Sequence, residues 1–147
     1  MFETITNHWM LMPVLFNFLL VFIVQNVMYQ HRKTAIIQNN VRIRDIAHRH
    51  QLEQQLPSST ASSNNFKNQF ELPVIFYALV GFFMITGWAT WFDFLIACGF
   101  VGSRVIHAYI HCTSNRVKIR FLSYIIGTFL LYALFISLAI QWLMHTF

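Results

Sequence analysis

Charged side chains are scarce in this chain. Only 10% of its 147 residues are charged, whereas 56% are hydrophobic and 17% are aromatic. So apolar a composition excludes a disordered protein, and with 5 glycines and 2 cysteines the chain is neither a fibrous repeat nor a disulfide-stapled secreted domain. Cys98 and Cys112 lie about 21 Å apart on one predicted helix, too far for a disulfide between them. The apolar residues must therefore fill one unusually large core or face lipid.

Long uncharged runs decide between these two possibilities. Residues 9–29 carry no formal charge, and 21 residues at about 1.5 Å each span roughly 31 Å, the thickness of a bilayer's hydrocarbon core. Three further apolar stretches follow. The predicted spans are residues 9–29, 66–88, 92–113 and 121–144, with a connector over residues 30–65. We therefore expect an all-α integral membrane protein, a four-helix bundle formed by a single domain over residues 1–147.

The connector has two parts that differ in composition. Residues 34–55 lack Gly and Pro and are expected to extend the first helix. Residues 57–63 are rich in Ser and predict a flexible linker. Asn64 or Asn65 would then cap the second span, because an Asn side chain can accept from the first unpaired amides of a helix.

The distribution of Lys and Arg predicts how the chain crosses the membrane. All basic residues outside the spans, together with those at their edges, fall on the side of the connector and of the short turn before the fourth span. They are Arg32, Lys33, Arg42, Arg44, Arg49, Lys67, Arg116, Lys118 and Arg120. By the positive-inside rule this side is cytoplasmic, so both termini of this multi-pass protein are predicted to be non-cytoplasmic, in the inner membrane if the source is bacterial. The net charge of +5 then reflects orientation, and no nucleic-acid partner is inferred.

Two ionisable residues lie where lipid should exclude them. Glu71 lies near the start of the second span and Arg104 at a comparable depth in the third, on helices expected to be antiparallel neighbours. They would either form an ion pair or contact a ligand directly. Pro73 cannot donate to the carbonyl of Gln69, so the second helix is expected to bend beside them and to leave a spare acceptor.

Polar side chains form two matching stripes around this pair. Arg104, His107 and His111 lie at i, i+3 and i+7 on one helix face, and Asn68 and Glu71 lie at i and i+3 on the other helix. This convergence predicts either a ligand site or a structural polar seam between the helices. A metal site formed by the two histidines and Glu71 is a third possibility, which the neighbouring Arg104 disfavours because its guanidinium would repel a cation.

Further guanidinium groups approach the same region. Arg42, Arg116 and Arg120 would either lie on lipid phosphates or, with Glu71 nearby, bind a small ligand that carries more carboxylates than amines. Glutathione, with two carboxylates, one ammonium and a thiol, has this layout of charges. The motifs are Asn68-Gln-Phe-Glu71-Leu-Pro73, Arg104-Val-Ile-His107-Ala-Tyr-Ile-His111, Arg116-Val-Lys-Ile-Arg120 and Val41-Arg42-Ile43-Arg44. Together they resemble the MAPEG family, the membrane-associated proteins in eicosanoid and glutathione metabolism.

The resemblance implies a fold, an activity and a set of contacts. Members of the family form homotrimers of four-helix protomers and bind glutathione between adjacent subunits, while a lipophilic electrophile approaches from the bilayer. Positions similar to the glutathione contacts of the family are Arg42, Asn68, Glu71, Arg104, His107, His111 and Tyr124. Arg120 matches the arginine that stabilises the thiolate, which makes it the expected catalytic residue. His111 stands where some members have Tyr, and Phe121 stands where the prostaglandin-synthase branch has Ser, a departure that argues against prostaglandin E synthase activity.

These patterns favour a glutathione-dependent enzyme that conjugates or reduces lipophilic electrophiles. Two other classes remain open. One is a non-catalytic lipid-binding or scaffold member of the same fold. The other is a small proton-coupled transporter that uses Glu71, although a strong positive-inside pattern argues against a dual-topology transporter.

Overall fold

The regular structure of this chain is helical. The computed structural model describes residues 7–46 and 49–147, and in these two ranges it contains no strand. The helices are α1 (Leu11–Gln38), α2 (Arg49–Gln55), α3 (Thr60–Asn68), α4 (Leu72–Thr86), α5 (Trp91–Cys112) and α6 (Val117–Thr146), with short 3-10 helices at Asn7–Met10, Ile43–Ile46 and Pro57–Ser59. Residues 1–6 and 47–48 of the predicted single domain lie outside the described residues.

Four segments are long and apolar enough to cross a membrane. They are His8–Gln38, Pro57–Thr86, Trp91–Cys112 and Val117–Thr146. The prediction of a four-span, all-α membrane protein is therefore confirmed. The first and fourth of these segments extend beyond the predicted spans at both ends and include charged residues, because a charged residue at a membrane surface does not end a helix.

The predicted extension of the first helix to residue 55 is wrong. Helix α1 ends at Gln38, where the side chain of Asn39 donates to the carbonyl of Ala35 at 2.9 Å. Asn40 then has a φ of 50°, in the left-handed region that Asn tolerates better than most residues. The chain turns at this point, so Arg42 lies in a turn rather than on a helix extension.

The predicted Ser-rich linker is also wrong, because this segment is helical and its Ser59, Ser62 and Ser63 side chains are buried. Ser59 donates to the carbonyl of Leu56 and Ser62 to that of Ser59, each at 3.0 Å, so the hydroxyl groups are satisfied within their own turns. Asn65 does not cap a helix, since α3 begins at Thr60. Its side chain is fully buried and donates to the carbonyl of Ala108 at 3.1 Å, which fastens α3 to α5.

The second span is interrupted between α3 and α4. Residues 69–71 are not helical, and α4 starts at Leu72 with Pro73 as its second residue. Proline is favourable in a first helical turn because its missing N–H would be unpaired there in any case. The bend predicted from Pro73 is confirmed, and the backbone carbonyls just before it are free to accept from other groups.

The apolar core lies between the first 3-10 helix, α1, α4, α5 and α6. Its largest side chains include Met10, Phe76, Phe83, Phe100 and Leu134, and Phe76 stacks on Phe100 with ring centroids 4.6 Å apart. Helices α5 and α6 form the most extensive pair. Their close approach depends on Gly127, because a Cβ atom there would lie 2.7 Å from the Oγ of Ser103.

A buried carboxylate, that of Asp93, forms several hydrogen bonds at the end of the bundle where α5 begins. Asp93 is 0% exposed and forms a capping box with Thr90 at the start of α5. One of its oxygens accepts from the backbone N–H of Thr90 at 2.9 Å, from the Thr90 hydroxyl at 2.7 Å and from Gln141 at 3.1 Å. This residue was missed by the sequence analysis, although the Thr-x-x-Asp spacing before an apolar run signals such a cap.

We predict that Gly127→Ala destabilises the bundle by about 1–3 kcal/mol, because the added methyl group overpacks the contact with Ser103. Gly81→Ala is the control: a Cβ atom there meets nothing within 4 Å, so the change should stabilise α4 by up to about 1 kcal/mol through helix propensity. Thermal unfolding in detergent, followed by circular dichroism, measures both. The double variant Gly127→Ala/Ser103→Ala should recover most of the loss, and no recovery would contradict this account of the contact.

Candidate functional site

A polar cleft of about 380 Å³ opens where α3, α5 and α6 meet. It lies at the end of the bundle that carries the α5–α6 turn. The residues that line it are Asn64, Asn68, His107, His111, Val117, Arg120, Phe121 and Tyr124. Five of these, namely Asn68, His107, His111, Arg120 and Tyr124, are predicted site residues, so His107 and His111 of one predicted stripe and Asn68 of the other reach the same cavity.

Arg104 lies fully buried behind the cleft. Its Nη2 donates to the backbone carbonyl of Asn68 at 3.0 Å, while its Nε and Nη1 have no hydrogen-bond partner in the described part of the chain. Its guanidinium carbon lies 5.8 Å from the centroid of the Tyr124 ring, within reach of a cation–π contact. The buried positive charge is therefore only partly compensated by its neighbours.

Of the two alternatives for Glu71 and Arg104, the ion pair does not form. Glu71 is exposed at the break before α4. Asp45 forms ion pairs with Arg42 and Arg44, at 2.9 and 3.8 Å. The reason is that residues 69–71 leave the helical path, so Glu71 does not occupy the position that a continuous helix would give it. The Glu71 carboxylate is left at the protein surface.

His107 links three helices through hydrogen bonds. Asn68 donates its side-chain amide to Nε2 of His107 at 3.4 Å, and Nδ1 lies 3.1 Å from the backbone carbonyl of Arg120. Since a carbonyl can only accept, Nδ1 carries the hydrogen and Nε2 is the acceptor. His107 is therefore neutral. From its place on α5 it contacts both Asn68 in α3 and the first turn of α6.

His111 makes the corresponding contact with the side chain of Arg120. Nη1 of Arg120 lies 3.0 Å from Nε2 of His111 and also donates to the Oδ1 of Asn115 at 2.8 Å. A guanidinium has no acceptor, so Nε2 of His111 must accept and this imidazole is neutral as well. Both histidines are thus neutral hydrogen-bonding groups in the region that contains the Arg104 and Arg120 cations.

Three predicted site residues lie outside the cleft of the protomer. Arg42 is exposed and pairs with Asp45. Arg116 is exposed immediately before α6 and does not line the cavity. Glu71 is likewise exposed. Within one protomer these three residues are not brought together with Arg120.

Two polar residues at the cleft, Asn64 and Ser123, were not predicted from the sequence. Asn64 lines it because α3 continues back to Thr60, which places Asn64 and Asn68 at i and i+4 on one face. Ser123 is buried behind it, donates to the carbonyl of Arg120 at 2.8 Å and lies 3.5 Å from Nδ1 of His107. Its hydroxyl is already engaged, so it does not substitute for the Ser that Phe121 replaces. Recognising the Ser-rich segment as helical would have revealed Asn64.

The possible metal site has no counterpart in the structure. His107 and His111 are neighbours, with ring centroids 5.6 Å apart, but the exposed Glu71 does not face them. In the described ranges no group of three His, Cys, Asp or Glu side chains has the arrangement of a metal site. The cations Arg104 and Arg120 around the histidines suit an anionic ligand instead.

The fold and the cleft define an integral membrane protein with four spans and a polar site at one end of the bundle. A comparison with models of protein families matches the MAPEG family over residues 10–140 of the 147-residue chain. The chain belongs to that family, which links it in general terms to glutathione-related or eicosanoid metabolism in membranes. Neither a search of curated proteins nor a search of solved structures gave a match.

We predict that Glu71→Gln changes the free energy of unfolding by less than about 1 kcal/mol, because an exposed carboxylate without an ion pair contributes little. Asp93→Asn is the comparison, since it alters a buried carboxylate that accepts three hydrogen bonds, and it should cost about 1–3 kcal/mol. Unfolding in detergent without glutathione measures both variants. A loss of about 3 kcal/mol or more in Glu71→Gln would instead indicate a buried ion pair.

Proposed function

We propose that this protein is a glutathione-dependent membrane enzyme that conjugates or reduces lipophilic electrophiles. The observation that carries the proposal is the cleft itself. Arg120 shares it with Asn68, Tyr124 and two neutral histidines, and no carboxylate is among its lining residues. Such a cavity favours an anionic ligand that needs amide and guanidinium donors. Glutathione is an anion of suitable size, and membership of the MAPEG family supports this choice.

Arg120 has the catalytic role in this proposal. A thiol is weakly ionised at neutral pH, and a nearby guanidinium in a site of low dielectric favours the thiolate, which is the nucleophile. In conjugation the sulfur forms a bond to an electrophilic carbon, and the leaving group departs with its electron pair. In reduction of a lipid hydroperoxide the sulfur takes the terminal oxygen, the lipid leaves as an alcohol, and a second glutathione converts the sulfenic acid to disulfide and water.

The proposal includes an assembly and an orientation. In a homotrimer, as the resemblance implies, Arg42 and Glu71 would reach glutathione held in the cleft of a neighbouring protomer. Their exposure in the protomer supports this arrangement. Arg104 would act from behind the cleft, while Arg116 would lie at its mouth. The basic connector and the α5–α6 turn would be cytoplasmic, both termini non-cytoplasmic, and the electrophile would enter from membrane lipid.

A non-catalytic lipid-binding or scaffold role is the alternative that the family allows. In that case the same cleft would bind a thiol ligand without turnover, or would bind no thiol. The transporter hypothesis loses its motivating observation, since Glu71 is exposed at the helix break and not enclosed within the bundle. The two surviving possibilities are separated by binding and turnover measured on the same preparation.

We predict that the purified protein binds glutathione in calorimetry and produces the ultraviolet absorbance of a bound thiolate. Arg120→Gln should abolish that absorbance and lower kcat/KM by about 100-fold or more, because it removes the group that stabilises the developing charge. Lys118→Gln is the matched control. It removes an equal charge two residues away, from an exposed side chain that does not line the cleft, and should stay within about twofold of the wild type.

Each outcome decides between the alternatives. Glutathione binding without turnover on a panel of epoxide, haloarene, enone and hydroperoxide substrates would favour the non-catalytic role. Absence of binding in calorimetry together with absence of thiolate absorbance would overturn the proposal. Equal losses in Arg120→Gln and Lys118→Gln would show that net charge, rather than the cleft arginine, determines the effect.

A further inference from the structure

We propose that Asn115 is a positioning residue that orients the Arg120 guanidinium for the thiol of glutathione. This inference rests on the proposed function. Asn115 lies in the short turn between α5 and α6, and it is not one of the residues that line the cleft. Its effect on the reaction would therefore be exerted through Arg120.

The turn holds Asn115 in a defined conformation. Its φ of 46° lies in the left-handed region, which Asn adopts more readily than most residues. Its backbone N–H donates to the carbonyl of Ile110 at 2.8 Å, which ties the residue to the last turn of α5. The Asn115 side chain thus projects from a point fixed relative to the helix that carries both histidines.

Two acceptors occupy one nitrogen of the Arg120 guanidinium. The Nη1 atom has two hydrogens, and it makes two contacts, to Oδ1 of Asn115 at 2.8 Å and to Nε2 of His111 at 3.0 Å. A guanidinium is planar, so two acceptors on the same nitrogen fix the direction of its plane. Nη2 and Nε make no hydrogen bond within residues 7–46 and 49–147, so their three N–H groups remain for a ligand.

This arrangement explains how a long side chain at the mouth of a cleft keeps one orientation. An Arg side chain has many rotamers, and this freedom must be restricted if its free edge is to meet a thiolate. The His111 contact alone leaves the guanidinium free to rotate about that hydrogen bond. The second contact, from Nη1 to Asn115, removes this freedom, so Asn115 raises the fraction of bound glutathione that is ionised.

The test compares three variants of the full-length protein in detergent. Asn115→Gly keeps the left-handed backbone and removes the acceptor, while Asn115→Asp keeps both the backbone preference and an acceptor oxygen. Ser114→Ala is the neighbouring control, since the Ser114 side chain is exposed and makes no hydrogen bond among the described residues. Thiolate absorbance is measured against pH with saturating glutathione, together with kcat, KM and the affinity for S-methylglutathione, which has no ionisable thiol.

We expect Asn115→Gly to lower the thiolate absorbance and kcat at neutral pH by about tenfold, with the affinity for S-methylglutathione within about twofold of the wild type. Asn115→Asp, which keeps the acceptor but adds a carboxylate beside Arg120, should recover only part of the thiolate, and Ser114→Ala should match the wild type. A wild-type thiolate signal in Asn115→Gly overturns the positioning role alone, as does an equal loss of S-methylglutathione binding, which would indicate general damage to the site. No thiolate in the wild type overturns this inference, and it overturns the proposed function as well if calorimetry also shows no glutathione binding.

Discussion

The site depends on a single backbone carbonyl that the second span leaves free. In hydrocarbon every main-chain polar group needs a partner, and a helix that contains proline must redistribute its hydrogen bonds. Here Pro73 begins a new helix, residues 69–71 leave the helical path, and the carbonyl of Asn68 has no partner within its own helix. It accepts instead from Arg104, whose buried guanidinium thereby fastens α5 to the end of α3.

The remaining polar contacts extend this connection to α6. The Asn68 side chain reaches His107, and His107 donates to the backbone carbonyl of Arg120 in the first turn of α6. Asn68 therefore makes two hydrogen bonds to α5, one from Arg104 to its backbone carbonyl and one from its side-chain amide to His107. The groups that join the helices are neutral imidazoles, amides and carbonyls. No carboxylate is therefore needed beside the guanidinium groups to hold the helices together. The cations of the site consequently remain open to an anionic ligand.

The parts that the sequence predicted are those determined by periodicity. The 3.6-residue repeat correctly placed Arg104, His107 and His111 on one face of α5, since a long regular helix keeps its register. The failures lie where local hydrogen bonds override composition. The Ser-rich segment forms a helix in which the buried Ser59 and Ser62 hydroxyls bond to backbone carbonyls of their own turns, a solution that a Ser-rich composition does not reveal. Glu71 was misplaced for a related reason, since the position of a side chain beyond a break cannot be extrapolated from the helix before it.

The arrangement also carries an energetic cost that points toward its ligand. Arg104 is buried with two of its nitrogens unpartnered, although burying a charge without full compensation is unfavourable. It donates to a carbonyl and lies beside the neutral Tyr124 ring, and the Glu71 carboxylate attracts it only from beyond ion-pair distance, so its charge is only partly neutralised. Proteins keep such locally unfavourable groups mainly at functional sites, where a ligand supplies the missing interaction. An anion in the adjoining cleft would lower this cost through the field of its charge, so ligand binding and stability of the bundle are expected to be coupled through Arg104.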